Sequence, residues 1–520
     1  MSYSRIVSAV IQGLEVKFIQ VEADLSNGLP VFHMVGYLSA EVKEAGERVR
    51  TAIRNCGMIL PAKRMVINLS PANIRKRGGS FDLPIALAIL VSLGEIRGDT
   101  LAETLVIGEL GLNGQVRSVH GILPIVAEAK KAGYRRCIVP AENEREALLV
   151  DGVEILCADS LKQVCDFLNH DGESEWNNGK SAKFQVKALK KIRSSNRGED
   201  VDFSDILGQE AAKRAAEIAV AGRHNFLLIG PPGSGKSMIA RRIPTILPEL
   251  TLEESIEITK VYSVMGMLDP ENPLMTCRPF REVHHTVTKS ALIGGGTYPR
   301  PGEISLASKG VLFLDELAEF QKAVLEVLRQ PLEDREVRIV RNQGAYCFPA
   351  DIMLVAAMNP CPCGYYPDYA RCSCTSHQIQ QYLGKVSQPF LSRMDICIEV
   401  PGILFDSLKA EKGETSGEIR RRIQKAREIQ KKRFSGRTHY FNAGMSAEEV
   451  RKYCALGIQE EKMIQKAFDC LGLTARTYHK ILKVARTIAD LAGEERIALS
   501  HLQEAIGYRV VDKKYWGGNE

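Results

Sequence analysis

FLLIGPPGSGKS, residues 226–237, joins a short apolar run to a glycine-rich loop. The apolar run predicts a buried strand, and GPPGSGKS after it has the spacing GxxxxGK followed by serine. In this pattern the backbone N–H groups of the loop surround phosphates, the lysine reaches the β and γ oxygens, and the final hydroxyl ligates magnesium. A helix-compatible run, Met238–Arg242, completes the context that the motif requires. We therefore expect ATP and Mg²⁺ to bind at a loop formed by Gly230, Pro231, Pro232, Gly233, Ser234, Gly235, Lys236 and Ser237.

A second apolar run, Val311–Leu314, ends in the two carboxylates Asp315 and Glu316. A buried strand that ends in two acidic residues places uncompensated negative charge beside the loop, which is favourable where a cation binds. We expect Asp315 to hold Mg²⁺ through water and Glu316 to polarise the attacking water. Acidic residues are common at strand ends, but this pair together with the phosphate loop predicts ATP hydrolysis.

Two further polar residues adjoin predicted strands. Asn359 follows the run 352–357 and is expected to orient the lytic water, the alternative being a turn residue before Pro360. Arg393 precedes the next strand in PFLSRMDICIEV and is expected to neutralise transition-state charge in a neighbouring subunit's site, a role worth about a thousandfold in rate. The alternative for Arg393 is a surface ion pair with Asp395.

The overall composition is ordinary for a globular protein, with 45% hydrophobic and 25% charged residues. A net charge of +6 permits nucleic-acid binding without arguing for it. The N-terminus lacks the features of a signal peptide, and the longest apolar run, Leu83–Leu93, is too short to span a bilayer. We expect a cytoplasmic protein without membrane contact, whose thirteen cysteines are reduced thiols or metal ligands.

Composition divides the 520 residues into four parts. Residues 1–168 alternate β-like runs with helical stretches and predict an α/β domain. The polar segment 169–200 has few apolar anchors and predicts a linker. Over 201–400, short apolar strands alternate with helices, as in a nucleotide-binding core with a parallel sheet, and only helical patterns follow in 401–520.

With these residues in place, the chain resembles the magnesium-chelatase-like AAA+ proteins of bacteria, specifically the ComM/YifB family. The resemblance covers nearly the whole length and rests on SYSRIVSAVIQGLE (2–15), INLSPANIRKRGGSFDLPIAL (67–87), HHTVTKSALIGGGTYPRPGEISLASKGVLFLDE (284–316) and TARTYHKILKVARTIADL (474–491). It implies a ring-shaped, usually hexameric homo-oligomer in which each ATP site is shared between subunits. It also implies that Arg476, which opens a helix of the C-terminal lid, is a second sensor arginine; the alternative is an ordinary helix arginine.

The same resemblance implies a DNA motor. ComM proteins are regarded as helicases that drive branch migration during uptake and integration of transforming DNA. The rival interpretation is a chelatase-type or chaperone-like ATPase that remodels a protein partner. Kinship with the chelatase subunit does not establish metal insertion into a porphyrin, and the sequence shows no site for a porphyrin-handling partner.

Residues 1–168 also resemble a domain of a second protein family. DLPIALAILVSLGE and VIGELGLNGQVRSVHGILPIVAEAKKAGYRRCIVP resemble the C-terminal fold of Lon protease, which is also appended to RadA-type recombination ATPases. Lon-type proteolysis needs a serine–lysine dyad. The matching positions hold Phe81 to Leu83 and Pro124, and no base is implied for the nearby Ser80. The expected fold class is therefore α/β, with a non-proteolytic Lon-like domain, an AAA+ P-loop core with a parallel sheet, and a helical lid.

Four cysteines fall within residues 361–374 of the predicted core, in the stretch NPCPCGYYPDYARCSC (359–374). The order C-x-C-x8-C-x-C can fold back into a tetrahedral thiolate site for structural zinc, although one intervening residue within each pair is tighter than the usual two to four. The alternative is a loop of free thiols in a reducing cytosol, and His377 is a replacement ligand. The four candidate zinc ligands are Cys361, Cys363, Cys372 and Cys374.

A hairpin is predicted between the acidic pair and Asn359. Two alternating runs, 336–340 and 345–348, flank Asn342-Gln343-Gly344. In helicases of the clade that this chain resembles, a hairpin at this point projects into the pore of the ring. The resemblance therefore implies that Arg338 and Arg341 contact DNA phosphates. The alternative is an edge hairpin with solvated arginines, and the basic helix 418–434 is a weaker DNA-binding candidate.

Overall fold

A computed structural model describes residues 3–169, 201–341, 344–402, 413–437 and 439–517 of the chain. These residues form two compact units. The first comprises the described part of Met1–Ser195 together with Thr251–Thr276, and the second comprises the described part of Asn196–Leu250 and Cys277–Glu520. The predicted linker, 169–200, lies outside the described residues except for Asn169, which ends a helix.

The first unit is built on a mixed sheet of seven strands in the order β3-β4-β2-β1-β5-β8-β9. The strands of this unit are β1 (Tyr3–Gln12), β2 (Glu15–Ser26), β3 (Phe32–Val35), β4 (Arg64–Ser70), β5 (Thr104–Val106), β6 (Glu109–Leu110), β7 (Val116–Arg117), β8 (Arg136–Pro140) and β9 (Glu154–Ala158). The long antiparallel pair of β1 and β2 gives way to parallel pairing from β1 through β5 and β8 to β9. The short strands β6 and β7 pair separately.

Within the described residues, six helices accompany this sheet. They are Ala40–Asn55, Asp82–Leu93, Ile122–Lys131, Glu144–Ala147, Leu161–Asn169 and, from the inserted segment, Leu252–Met265. The apolar run 83–93 lies almost wholly inside the unit, as the sequence predicts, because an apolar helix with no polar face is stable only when buried on all sides. The inserted helix begins at a capping box formed by Thr251 and Glu254, and its Ser263 hydroxyl donates a hydrogen bond to the buried carboxylate of Glu146 at 2.5 Å.

The second unit contains a five-stranded sheet in the order β11-β14-β17-β10-β18, and all neighbouring strands are parallel. Its strands, with those of two small hairpins, are β10 (Phe226–Ile229), β11 (Phe280–Val283), β12 (Gly294–Gly295), β13 (Arg300–Pro301), β14 (Val311–Leu314), β15 (Glu336–Arg341), β16 (Gly344–Pro349), β17 (Met353–Met358) and β18 (Ile396–Glu399). All four residues of β10 and of β14 are buried, which is typical of parallel strands covered on both faces. The predicted parallel-sheet core is therefore confirmed.

Helices surround this sheet and then continue alone. Those within and beside the sheet are Glu210–Gly222, Lys236–Ile246, Lys289–Ile293, Glu303–Leu306, Lys322–Val327, Arg329–Asp334, Ser376–Leu383 and Gln388–Leu391. The C-terminal ones are Ser416–Arg433, Ala447–Tyr453, Ile458–Leu471, Ala475–Ala492 and Leu499–Trp516. Helix Glu210–Gly222 packs against both sets, so the sheet and the C-terminal helices share one hydrophobic core. Among the described residues, no helix is long and apolar enough to cross a membrane.

Candidate ATP-hydrolysis site

The loop at residues 230–237 follows β10 directly and leads into helix Lys236–Ile246. A Cβ atom at Gly230 would lie 2.1 Å from the carbonyl oxygen of Val400, so no larger residue fits there. Gly235 has a φ of 90°, a left-handed conformation that glycine adopts without steric cost. The loop therefore forms a tight turn onto a helix N-terminus, where backbone N–H groups and the helix dipole favour phosphate.

Lys236 lies inside this loop with only 8% of its surface exposed. Its Nζ donates hydrogen bonds to the carbonyl oxygens of Gly230 and Pro231, both at 2.8 Å, and to Oδ1 of Asn359 at 3.1 Å. Burial lowers the pKa of Lys236 to about 8, against the opposing effect of the nearby Asp315 carboxylate. The ammonium group is thus buried within the loop that the motif assigns to phosphate binding.

The two predicted magnesium ligands are in direct contact. The hydroxyl of Ser237 donates a hydrogen bond to Oδ2 of Asp315 at 2.6 Å. The backbone N–H of Glu316 donates to the other carboxylate oxygen of Asp315 at 2.9 Å. A hydroxyl and a carboxylate oxygen are ligands that Mg²⁺ accepts, so these two residues fit the expected ion.

Glu316 is the more accessible member of the acidic pair, with 60% of its side chain exposed. One of its carboxylate oxygens lies 3.3 Å from Nδ1 of His285, which follows β11 on the far side of β14. The structure therefore brings together the phosphate loop, the acidic pair and Asn359, because they follow the neighbouring parallel strands β10, β14 and β17. This is the edge at which open parallel sheets bind their ligands.

Two residues that the sequence analysis did not single out complete this edge. The first is His285, which faces Glu316. The second is Gln209, whose Nε2 donates to the carbonyl oxygens of Ser234 at 3.3 Å and Pro401 at 2.7 Å. Gln209 precedes helix Glu210–Gly222 with a left-handed φ of 58°. The glycine before Gln209 and the helical pattern after it are a helix-start signal, but nothing local links that signal to the loop.

The two predicted arginines lie elsewhere. Arg393 precedes the first residue of β18 and therefore lies at the amino edge of the sheet, whereas Lys236 follows the carboxyl end of β10. Nη2 of Arg393 lies 2.9 Å from Oε1 of Glu333, and Nη2 of Arg476 donates to the same oxygen. The ion pair between Arg393 and Asp395 that the sequence left open is replaced by this contact with Glu333, and Asp395 pairs with Lys480 at 2.7 Å.

The four clustered cysteines converge in the loop between β17 and helix Ser376–Leu383. Their sulfur atoms all lie within 4.8 Å of one another, with Sγ of Cys361 3.3 Å from Cys363 and 3.8 Å from Cys372. These separations are close to the sulfur spacing of about 3.8 Å in a tetrahedron with zinc–sulfur bonds of about 2.3 Å. The backbone N–H groups of Gly364 and Tyr366 donate to Sγ of Cys361, as is usual around a thiolate. The residues present therefore fit a metal ion.

The predicted hairpin is formed by β15 and β16, which pair from Glu336 opposite Pro349 to Arg341 opposite Gly344. Both candidate DNA-contacting arginines are exposed. Nε of Arg338 donates to the carboxylate of Glu336 at 2.5 Å, so the charge of Arg338 is partly balanced within its own strand. Nε of Arg341 lies 3.5 Å from the carbonyl oxygen of Gly296, in the turn between β12 and β13.

A five-stranded parallel sheet with a phosphate loop after β10, an acidic pair after β14 and a helical lid defines a P-loop ATPase of the AAA+ type. Comparison with known proteins agrees with this class. The chain matches the family description "Magnesium chelatase, subunit ChlI" over residues 202–408. Two related descriptions match the flanking parts, "Subunit ChlI of Mg-chelatase" over 21–143 and "Magnesium chelatase, subunit ChlI C-terminal" over 413–509.

Individual relatives narrow the assignment. The chain is 43% identical over 516 residues to the competence protein ComM of Haemophilus influenzae, covering 98% of both chains. It is 41% identical over 517 residues to the uncharacterized protein YifB of Escherichia coli, covering 99% of this chain and 98% of YifB. Lon protease 2 of Bacillus subtilis is 33% identical over 126 residues, 24% of this chain and 22% of that protease, which confirms the predicted Lon-like element of the fold. The chain belongs to the ComM/YifB family of magnesium-chelatase-like AAA+ proteins.

Proposed function

We propose that this chain is the subunit of an oligomeric DNA motor, a ring of six in which ATP hydrolysis drives translocation or branch migration on DNA. The observation that carries the DNA part of the proposal is the hairpin of β15 and β16. It lies in the chain between the acidic pair and Asn359, two parts of the ATP site, and carries two exposed arginines. The similarity to a relative named as a competence protein supports a role in DNA uptake and recombination.

The chemistry of the site follows from its contacts. Lys236 would bind the β and γ phosphates of ATP, and Ser237 and Asp315 would hold Mg²⁺, which neutralises phosphate charge when bound. Glu316, exposed at the edge of the site, would accept a proton from the attacking water. Asn359, held by Lys236 Nζ at 3.1 Å, would orient that water beside the γ-phosphate.

Arg393 and Arg476 would complete the site of a neighbouring subunit. Because Arg393 lies at the sheet edge opposite to Lys236, it cannot reach the loop of its own chain. Arg476 shares the carboxylate of Glu333 with Arg393, so the same argument applies to it. Two guanidinium groups presented together match the charge of a transferring phosphoryl group, and one such group supplied in trans is worth about a thousandfold in rate.

The rival function is that of a chelatase-type or chaperone-like ATPase acting on a protein partner. It is favoured by the family descriptions, which name a chelatase subunit. The two functions differ in what stimulates hydrolysis, because a DNA motor couples its ATPase cycle to phosphate-backbone contacts and a protein remodeller does not.

The discriminating experiment compares ATPase rates with and without forked, single-stranded and duplex DNA, for the parent and for a variant with Arg338 and Arg341 changed to alanine. The variant should keep basal hydrolysis and lose most of the DNA stimulation, and the DNA response of the parent should weaken steeply with salt. Arg371→Ala, which changes an exposed arginine of the cysteine loop, is a matched control that should respond like the parent. If none of the DNAs changes the ATPase rate of the parent, the protein-remodelling function is favoured. If DNA stimulates the double variant as fully as the parent, the hairpin is not the DNA contact, but the DNA-motor function stands.

We also propose that Cys361, Cys363, Cys372 and Cys374 bind one structural zinc ion. The converging sulfur atoms support this, and they provide no open coordination position for catalysis. The first unit, which has no serine–lysine dyad at the positions matching Lon, would serve a structural or DNA-associated role.

A further inference from the structure

Glu333 lies between the two arginines that we assign to the neighbouring ATP site. It belongs to helix Arg329–Asp334, and one of its carboxylate oxygens, Oε1, receives both Nη2 of Arg393 and Nη2 of Arg476. The side chains of Glu333 and Arg476 are each 43% exposed, while that of Arg393 is 8% exposed. A single carboxylate therefore holds one buried and one accessible guanidinium side by side.

Glu333 is one of three carboxylates in a cavity whose lining is rich in cationic side chains. Glu333 and the two arginines line this cavity of about 340 Å³ at the amino edge of the sheet. Its other two carboxylates have their own cations, since Asp351 pairs with Arg223 at 3.0 Å and Asp395 pairs with Lys480. The lining contains six lysine and arginine side chains against these three carboxylates, so the cavity carries a surplus of positive charge that suits a polyanion.

The remaining hydrogen bonds of Arg393 fix its position. Its Nη1 donates to the carbonyl oxygen of Pro389 at 2.5 Å, and its Nε lies 3.4 Å from the carbonyl oxygen of Arg329. Among the described residues, Glu333 is the carboxylate that forms an ion pair with Arg393, through Nη2 at 2.9 Å. Exchange of this carboxylate for a phosphate would therefore leave the backbone contacts of Arg393 intact.

We propose that Glu333 is a positioning residue that holds Arg393 and Arg476 together until the triphosphate bound by a neighbouring subunit displaces its carboxylate. This inference rests on the proposed trans role of the two arginines. The carboxylate and the γ-phosphate compete for the same N–H groups, because the oxygens of both anions accept charge-assisted hydrogen bonds from guanidinium. Glu333 thus makes the ATP-bound interface form only when the incoming phosphate outcompetes it.

The test is the Glu333→Gln substitution, which keeps the size of the side chain and removes the competing charge. In steady-state ATP titrations of the full-length assembled protein, KM for ATP should fall by about fivefold, equivalent to about 1 kcal/mol and typical of a partly exposed ion pair. The kcat should stay within about twofold of the parental value. Asp334→Asn, which changes the adjacent carboxylate that pairs with Gln330, is the matched control and should leave both constants unchanged.

A merely structural role of Glu333 would give the opposite pattern, with a reduced kcat or an increased KM, and either result, or no change, overturns the inference. Glu333→Asp, which retains the charge, should restore a KM closer to that of the parent. Arg393→Ala and Arg476→Ala, assayed in parallel, test separately whether the two arginines act on the neighbouring ATP site. If both arginine variants are inactive and Glu333→Gln leaves KM unchanged, only the role of Glu333 is wrong. If both arginine variants hydrolyse ATP at the parental rate, the trans assignment fails, and the inference fails with it.

Discussion

Glu316 adopts a left-handed backbone conformation, with φ 52° and ψ 47°, two residues after the end of the buried strand β14. Residues other than glycine are uncommon in this region, and they concentrate where surrounding contacts enforce the conformation. Here the backbone N–H of Glu316 is bound by Asp315, and its carboxylate meets His285. The backbone of the residue that we assign to water activation is therefore held by Asp315, and its side chain contacts His285.

The Glu316→Gln variant should bind ATP with parental affinity and hydrolyse it at least a hundredfold more slowly, because only proton acceptance from water is removed. Nucleotide binding and single-turnover hydrolysis measure the two effects separately. Glu319→Gln is the matched control, since Glu319 lies on the next turn and pairs with Lys385 instead of the site. Parental turnover by Glu316→Gln would show that another group activates the water.

The lowered pKa of Lys236 predicts a pH dependence of nucleotide binding. Its ordinary value is 10.5, and burial brings the pKa of the free protein to about 8. The ammonium is charged below that pH and loses its proton above it, while bound phosphate favours the charged form. ATP affinity should therefore fall as pH rises through about 8, by up to about tenfold per pH unit.

Equilibrium titration with a fluorescent ATP analogue between pH 7 and 9.5 measures this change. In Lys236→Arg the side chain stays charged throughout, since the pKa of a guanidinium exceeds about 12. That variant should show no decline near pH 8, whatever its absolute affinity. A flat profile for the parent would contradict the assigned role of the lysine proton.

Among individual residues, the sequence identifies those site residues that belong to short local motifs. The phosphate loop, the acidic pair and Asn359 follow buried strands, so spacing alone indicates that they meet at one edge. Gln209, His285 and Glu333 have no such motif, because their contacts join residues far apart in the chain. Glu333, for example, meets Arg476 across 143 residues, a pairing that depends on the assembled core and not on local pattern.

Among the elements, the cysteine loop has a direct contact with the phosphate loop. It begins directly after Asn359-Pro360, and a Cβ atom at Gly364 would lie 2.4 Å from Cδ of Pro232. Backbone of the cysteine loop is therefore packed closely on the residue that precedes Gly233. A metal ion that fixes the four sulfur atoms would also fix this contact, because the turn at Gly364 lies between Cys363 and Cys372.

Metal removal should therefore weaken ATP binding although it changes none of the residues that we assign to ATP binding. Protein purified without chelators should contain about one zinc per chain, and changing Cys361 and Cys374 together to serine should remove it. The same variant should show a Kd for ATP raised by about tenfold, through loss of the support at Pro232. Cys470→Ser, at an exposed free cysteine of the helical region, is the control. Unchanged zinc content in the double variant would place any metal elsewhere.

The elements themselves are largely predictable where apolar pattern is strong. The strands at 226–229 and 311–314 agree with the apolar runs that predict them. The antiparallel pairing of β1 with β2 was not specified, since polar and apolar residues in these strands do not alternate regularly along both. Both strands pack against the buried helix Asp82–Leu93, a contact between segments far apart in the chain.

At the scale of the whole assembly, Lys236 and Arg393 lie at opposite edges of the parallel sheet. This placement predicts complementation between subunits that carry different substitutions. Lys236→Ala subunits should fail to bind ATP, and Arg393→Ala subunits should bind ATP without hydrolysing it. Mixed assemblies should recover some hydrolysis, because an intact Lys236 site of one subunit can meet an intact Arg393 of its neighbour. ATPase rates across mixing ratios, with co-purification to prove mixed assembly, measure this recovery. No recovery at any ratio would argue against a shared site.

The inserted helix Leu252–Met265 has a consequence for how the protein is made. The segment that carries it, Thr251–Thr276, belongs to the first unit, although the residues on both sides of this segment belong to the second. During synthesis, the hydroxyl of Ser263 follows the carboxylate of Glu146 by 117 residues, a delay on the order of ten seconds at usual ribosomal rates. Until then the helix Ile122–Lys131 lacks its contacts with the inserted helix. The first unit is therefore complete only after the phosphate loop has emerged, and a chain ended near residue 200 would lack one of its packing partners.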